Sequence, residues 1–109
     1  DAADATAVHA LARNRLGRAV GTGRLLAADG PGQPARIGRM AVSRTVRGAN
    51  VGRELLEALM AAAGRRGDTQ VALHAQLTAF GFYRRAGFVA HGERFEEAGI
   101  VHQEMRRAP

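Results

Sequence analysis

The feature that most constrains this chain is a change of hydrophobic period at Val51. Before it, "TAVHALAR" (Thr6 to Arg13), "AVGTGRLLAA" (Ala19 to Ala28) and "ARIGRMAV" (Ala35 to Val42) are short apolar runs, of the length and composition of strands. "NRLGR" and "DGPGQP" separate them with turn and loop residues. From Val51 on, Val51, Leu55, Leu59 and Ala62 or Ala63 fall on one helical face, with Arg53, Glu54, Glu57 and Arg65 elsewhere. The first third therefore reads as an antiparallel meander, and a helix follows it.

The ends of that helix carry their own signals. Asn50 suits the N-cap, where its side-chain oxygen would accept a hydrogen bond from a first-turn amide, and Gly67 suits a left-handed stop. "TQVALHA", Thr69 to Ala75, reads as a second buried strand. "LTAFGFYRRA", Leu77 to Ala86, has helical spacing with Gly81 as its weak point, and "FVAHGERF" and "IVHQEMRR" read as a closing hairpin. The predicted order is β-β-β-α-β-α-β-β, an α+β domain.

A chain of 109 residues is long enough for one core and too short for two. No apolar run approaches the ~20 residues of a membrane span, and no leader-like series opens the chain. Without cysteine there is no disulfide framework and no thiolate nucleophile, and a cytoplasmic location is the expectation. All 16 basic residues are arginines and the net charge is +6, which concentrates anions around the chain without choosing among nucleic acid, lipid and a phosphorylated cofactor. The chain starts at Asp1 with no element before its first strand, and a missing N-terminal piece is expected.

"RGANVG", Arg47 to Gly52, joins a strand to the helix. Gly48 and Gly52 would let the backbone approach a ligand closely, and the unpaired amides of the first helical turn, with Arg47 and Arg53 beside them, suit a diphosphate. An ordinary strand-to-helix turn is the equal alternative. A nucleotide-triphosphate loop needs Lys and Ser or Thr after its last glycine, where this chain has Arg53 and Glu54. The two glycines are also wrongly spaced for a dinucleotide fingerprint. "GTG", Gly21 to Gly23, lies within a strand and reads as a bulge or packing site.

"IGRMAVSRTVRGANVGRELLEALM" resembles the cofactor segment of the GNAT superfamily of acyl-CoA-dependent N-acyltransferases, with Arg47 and Gly52 matching its pattern and Asn50 departing from it. Asn tolerates left-handed backbone, so the departure is compatible with the loop's shape. "LHAQLTAFGFYRRAGF", Leu73 to Phe88, resembles a second block of the same superfamily, in the right order. "HAQ", "FYRRAGF" and "FEEAGIVHQEM" are most similar to its ElaA-like branch, and the resemblance runs from Asp1 to Arg107. It implies a mixed, mostly antiparallel sheet with flanking helices and a single N-acetyltransferase domain over residues 1–109, short of the strand and two helices that usually come first in that family. It further implies that acetyl-CoA, with no metal, donates an acetyl group to the primary amine of a small molecule by direct attack.

The same resemblance assigns roles. Backbone from Gly48 through Ala49, Asn50, Val51 and Gly52 to Arg53, with Arg47, would hold the CoA pyrophosphate. Met40, Ala41 and Val42 would pair with the pantetheine amides, and Gln76 stands where an Asn often contacts CoA. Tyr83, in "FGFY", would protonate the departing thiolate, the alternative being a tyrosine packed in the core. His74 and His102 are the candidate bases, together with Glu96 and Glu97 and, behind them, His9 and His91; the spacing across the hairpin turn would let His102 face Glu96 and Glu97, a solvated charge pair being the alternative, and each taken singly also reads as structural. No set has metal-ligand spacing. No nucleic-acid or membrane partner is expected, and a homodimer is left open. The competing readings are an arginine-rich nucleic-acid module, which the lack of interleaved aromatics disfavours, and an idle CoA-binding domain.

Overall fold

The computed structural model describes residues 7–43 and 50–109. Its strands are β1 (Val8–Arg13), β2 (Ala19–Leu26), β3 (Ala35–Val42), β4 (Val71–Gln76), β5 (Val89–Ala90), β6 (Phe95–Glu97) and β7 (Ile100–Arg107). Helix α1 (Val51–Arg65) follows β3; a 3-10 turn (Leu77–Ala79) and helix α2 (Phe80–Arg85) follow β4. The sheet order is β1-β2-β3-β4-β7-β5, with β6 also on β7. Among the described pairs only β3 and β4 run parallel. The α+β, mostly antiparallel architecture is the one expected.

Helix α1 lies on the β1–β2–β3 half of the sheet because its apolar stripe meets a surface cleared for it. A Cβ at Gly21 would stand 2.7 Å from Leu55 Cδ1 and 3.0 Å from Val51 Cγ1, and one at Gly23 would stand 2.6 Å from Met40 Sδ and 3.0 Å from Leu59 Cδ1. The "GTG" stretch is thus the packing site expected of it. The accompanying bulge belongs to the opposing strand: Arg24 faces Gly38 while Thr22 faces Ala41, leaving one extra residue on β3. The buried face of α1 is also wider than the stripe read from the sequence, since Leu56 and Met60 join Leu55, Leu59, Ala62 and Ala63 in the interior.

Both helices end in the same device. After α1, Gly67 (φ 87°) lets Asp68 N–H donate to the Ala63 carbonyl (3.0 Å) and Gly67 N–H to that of Gly64 (3.1 Å), the paired bonds of a Schellman stop. After α2, Gly87 (φ 94°) repeats it, with Phe88 N–H donating to the Tyr83 carbonyl (3.0 Å) and Gly87 N–H to that of Arg84 (3.0 Å). The start of α1 departs from expectation. Asn50 accepts the first helical bond on its carbonyl (Glu54 N–H, 3.0 Å), but its side chain makes no capping bond. With φ 62° and ψ 13°, Asn50 is in the left-handed region, whereas a side-chain cap uses extended backbone.

Two other expectations are corrected. Residues 77–86 are not one regular helix: the irregularity falls at Leu77–Ala79, as a 3-10 turn, and Gly81 sits inside α2. The run from Phe88 to Phe95 is not one strand either. Its two ends pair with different stretches of β7, Val89 and Ala90 with Arg106 and Met105, and Phe95 with His102. The bend between them is held by buried Gln103, whose Nε2 donates to the carbonyls of His91 (3.2 Å) and Gly92 (3.0 Å).

Gly21→Val should lower stability by about 1–3 kcal/mol, the usual effect of overpacking, because Val51 and Leu55 leave no room for a branched side chain. Gly30→Ala, at a loop position with nothing within 4 Å, should leave the chemical-denaturation midpoint nearly unmoved.

Candidate active site

The site begins where β3 and β4 part. Their parallel pairing is registered at Ala35 with Val71 and Arg36 with Ala72 only. Beyond that, β3 stays with β2 as far as Gly21 opposite Val42, and β4 stays with β7 as far as Gln76 opposite His102. The two halves of the sheet splay, and the bulge on β3 sits at the mouth of the wedge. Its extra residue, Arg39, has φ 54°, a left-handed backbone that disfavours a non-glycine residue by about 1–2 kcal/mol.

A cleft of about 660 Å³ fills the wedge on the α1 side. Met40, Ala41 and Val42 form one wall, and Asn50, Val51, Gly52 and Arg53, at the start of α1, form the end. Gln76 and Tyr83 stand across from them. The structure thus brings the expected cofactor residues into one cavity; Arg47, Gly48 and Ala49 lie outside the described residues. The start of a 15-residue helix lines this cleft, a place where first-turn amides and the helix dipole favour a negative group, while the β3 edge toward β4 is open to an extended chain carrying amides. Pyrophosphate and pantetheine fit those two features. Thr78, Ala79 and Phe82 complete the wall and were missed in the sequence, although Ala79, Phe82 and Tyr83 share the i, i+3, i+4 spacing of one helical face.

A second cavity of about 450 Å³ adjoins the first, sharing Met40, Gln76, Ala79 and Tyr83 and adding Gly38, Arg39, His74 and His102. A third, about 290 Å³, extends past Arg39 and His74 to Arg36 and Glu97. Tyr83 therefore stands where the first cleft opens toward a charged one. Its ring is fixed edge-on by Phe82 (centroids 5.0 Å) and Phe88 (5.9 Å), and the Schellman stop supplies the second of these contacts, as the residue two beyond the cap folds back on the third from last. Burial raises the Tyr83 pKa above 10.0, so the phenol carries its proton at neutral pH.

The charged cavity is built by register. His74 faces Glu104 and Gln76 faces His102 across β4 and β7, and Phe95 faces His102 across β6 and β7. Glu97 Oε2 lies 3.3 Å from His74 Nδ1 and 3.8 Å from His102 Nε2, and Glu104 Oε1 lies 3.6 Å from His74 Nε2. Phe95 packs against both imidazoles, edge-on to His74 (4.9 Å) and stacked on His102 (5.9 Å). His102 Nδ1 is 2.8 Å from the Ile100 carbonyl. A carbonyl only accepts, so Nδ1 carries the hydrogen and a neutral His102 has its lone pair on Nε2. Glu96 alternates to the opposite face from Glu97. His9 lies on the far edge strand, and His91 is exposed.

Glu104, unnoticed in the sequence, anchors this cluster. Burial pushes its carboxyl upward, but the hydrogen bond from Arg106 (Nε to Oε2, 2.7 Å) and the charges of Arg106, Arg36 and His91 outweigh that effect and hold it below 4.5. Its register position opposite His74 becomes visible only once β4 and β7 are paired.

A splayed, mostly antiparallel sheet with a helix start at one end of the wedge and a partly buried tyrosine at its junction matches the fold of a solved acyl-CoA N-acyltransferase. The chain belongs to the acetyltransferase (GNAT) domain family, whose model matches residues 2–108. It is 38% identical over 85 residues to the Escherichia coli protein ElaA, covering 77% of this chain and 56% of that protein. Among solved structures, an acyl-CoA N-acyltransferase from Pseudomonas aeruginosa superposes with TM-score 0.81 at 37% identity, over 94% of this chain and 68% of that one. Escherichia coli ElaA superposes with TM-score 0.80 at 33% identity, over 93% and 68%. The chain thus spans little more than half the length of the curated ElaA it matches. Among the described residues no helix is long and apolar enough to cross a membrane.

A carboxyl held low in the folded state stabilises it above the unfolded pKa and loses that contribution as pH falls through the folded value. Glu104→Gln should therefore lower the melting temperature at pH 7, and the gap to the parent chain should close on acidification below about pH 4, the ordinary carboxylate range. A scanning-calorimetry series in pH reads it.

Proposed function

We propose that the chain transfers an acetyl group from acetyl-CoA to a primary amine by direct attack. The observation that carries this reading is the position of Tyr83 on the shared wall of the two cavities: one suits a diphosphate and an extended amide chain, the other a polar acceptor. In this reading residues 40–42 pair with the pantetheine arm, the start of α1 and Arg53 receive the pyrophosphate, and Gln76 contacts the cofactor near its reactive end. The loop residues Arg47, Gly48 and Ala49 are assigned to the pyrophosphate as well.

The amine nitrogen attacks the thioester carbonyl, the C–N bond forms, and collapse of the tetrahedral intermediate breaks the C–S bond. The thiolate sulfur takes its proton from the Tyr83 hydroxyl. The acceptor, entering as the ammonium, first gives one proton to His102 Nε2, whose lone pair is defined by the bond at Nδ1, with Glu97 stabilising the resulting imidazolium. The second nitrogen proton, released on collapse, restores the Tyr83 hydroxyl, so that one proton leaves to solvent per turnover. His74 is the less suited base because each of its nitrogens faces a carboxylate oxygen, at 3.3 and 3.6 Å, and it is assigned to hold Glu97 and Glu104 in place.

Acetyl-CoA binding and turnover with an amine panel test the proposal; no binding at millimolar acetyl-CoA overturns it. Tyr83→Phe should lower kcat by about 10–1000 fold with little change in CoA affinity, overlapping the usual range for general acid catalysis. His102→Gln should reduce kcat/KM by about 100-fold near neutral pH. That deficit should shrink as pH rises past the amine's own pKa, because solution then removes the proton that the imidazole would have taken. A constant deficit at all pH values assigns His102 to structure.

A further inference from the structure

The charged cavity carries both signs, and the positive one is unspent. Arg39 lines both the second and the third cavity, its residue is exposed, and among the described residues no hydrogen bond or ion pair holds its guanidinium. It occupies the left-handed position of the β3 bulge, where glycine would fit without strain; a long cationic side chain retained at a disfavoured backbone position, beside a cavity, points to use of that side chain. The neighbouring charges differ in this respect. Arg36 sits 3.7 Å from Glu104, and Glu104 is further bound by Arg106. Glu97, half exposed, faces the same third cavity from β6 and reaches toward His74 and His102. A free cation and a half-exposed carboxylate on opposite strands of one cavity suit a molecule that carries both charges itself.

Resting on the reading of this cavity as the acceptor site, we propose that the acceptor is a small amine bearing a carboxylate on the same molecule, its carboxylate held by the Arg39 guanidinium and its ammonium end directed to Glu97 and His102. The planar fork of a guanidinium matches a carboxylate through two parallel hydrogen bonds. A diamine of the same length would instead set one ammonium against Arg39.

Calorimetric titration of the CoA-loaded chain with pairs that differ by one carboxylate tests this: lysine against cadaverine, ornithine against putrescine. The amino acid of each pair should bind at least about tenfold more tightly. Arg39→Gly should remove most of that advantage while leaving cadaverine affinity unchanged or raised, since its ammonium no longer faces a guanidinium, with a melting temperature equal to or above the parent's because the left-handed backbone is relieved. Arg39→Gln should remove the same advantage without that thermal gain. Equal binding within each pair, a parallel loss of both members in the variants, or a preference for ethanolamine phosphate over lysine overturns the assignment. CoA is titrated separately. Its failure to bind would sink the acyl-transfer reading, while the amine titrations repeated on the CoA-free chain still decide the role of Arg39.

Discussion

Everything in the site depends on the parting of β3 from β4. Two strands that start in parallel register are held by different neighbours, β3 by β2 and β4 by β7, and the extra residue at Arg39 lets β3 follow its own partner. The consequence is backbone on the β3 edge without a strand beside it. In a continuous sheet those groups would be consumed by pairing; here they face a cleft and can be satisfied by a ligand.

The helices fit this opening. α1 can lie close to the sheet because Gly21 and Gly23 carry no side chains, and that closeness sets its first turn at the end of the wedge. α2 is short and would be marginal alone, yet it is pinned at its C-terminal end by Gly87 and by Phe88, which is almost wholly buried against Tyr83. The same apolar contact that stabilises α2 orients its phenol. Stability and positioning are here one interaction seen from two sides.

The second half of the sheet supplies the polar chemistry by pairing. β7 is the hub, with β4 on one edge and β5 and β6 on the other. One face of that hub collects His74, His102, Glu104 and, through β6, Glu97 and Phe95. Arg106 and Arg36 offset the charge of Glu104, leaving Glu97 as the more exposed carboxylate. The cavity has its polarity because β4 and the β6–β7 hairpin present the same parity of residues to it.

Much of this was legible in the residues. Periodicity located α1 and β3, the glycines marked the stop at Gly67 and the packing site at Gly21 and Gly23, and the two motif blocks named residues whose described members do line one cavity. Local interactions govern those features, so a local reading reaches them. The rest is non-local. The break of the segment before β7 into β5 and β6 follows from Gln103, the helix start at Asn50 takes its shape from its backbone rather than from a capping side chain, and, although the turn spacing already let His102 face the Glu96 and Glu97 carboxylates, the joining of His74 and Glu104 to that pair depends on strand register. So does the bulge that exposes Arg39. The sequence by itself determined which segments become strands and helices, because propensity and period act within a few residues; only the tertiary structure decided which polar side chains share a cavity, because that requires pairing segments whose order along the chain says nothing about which residue stands opposite which.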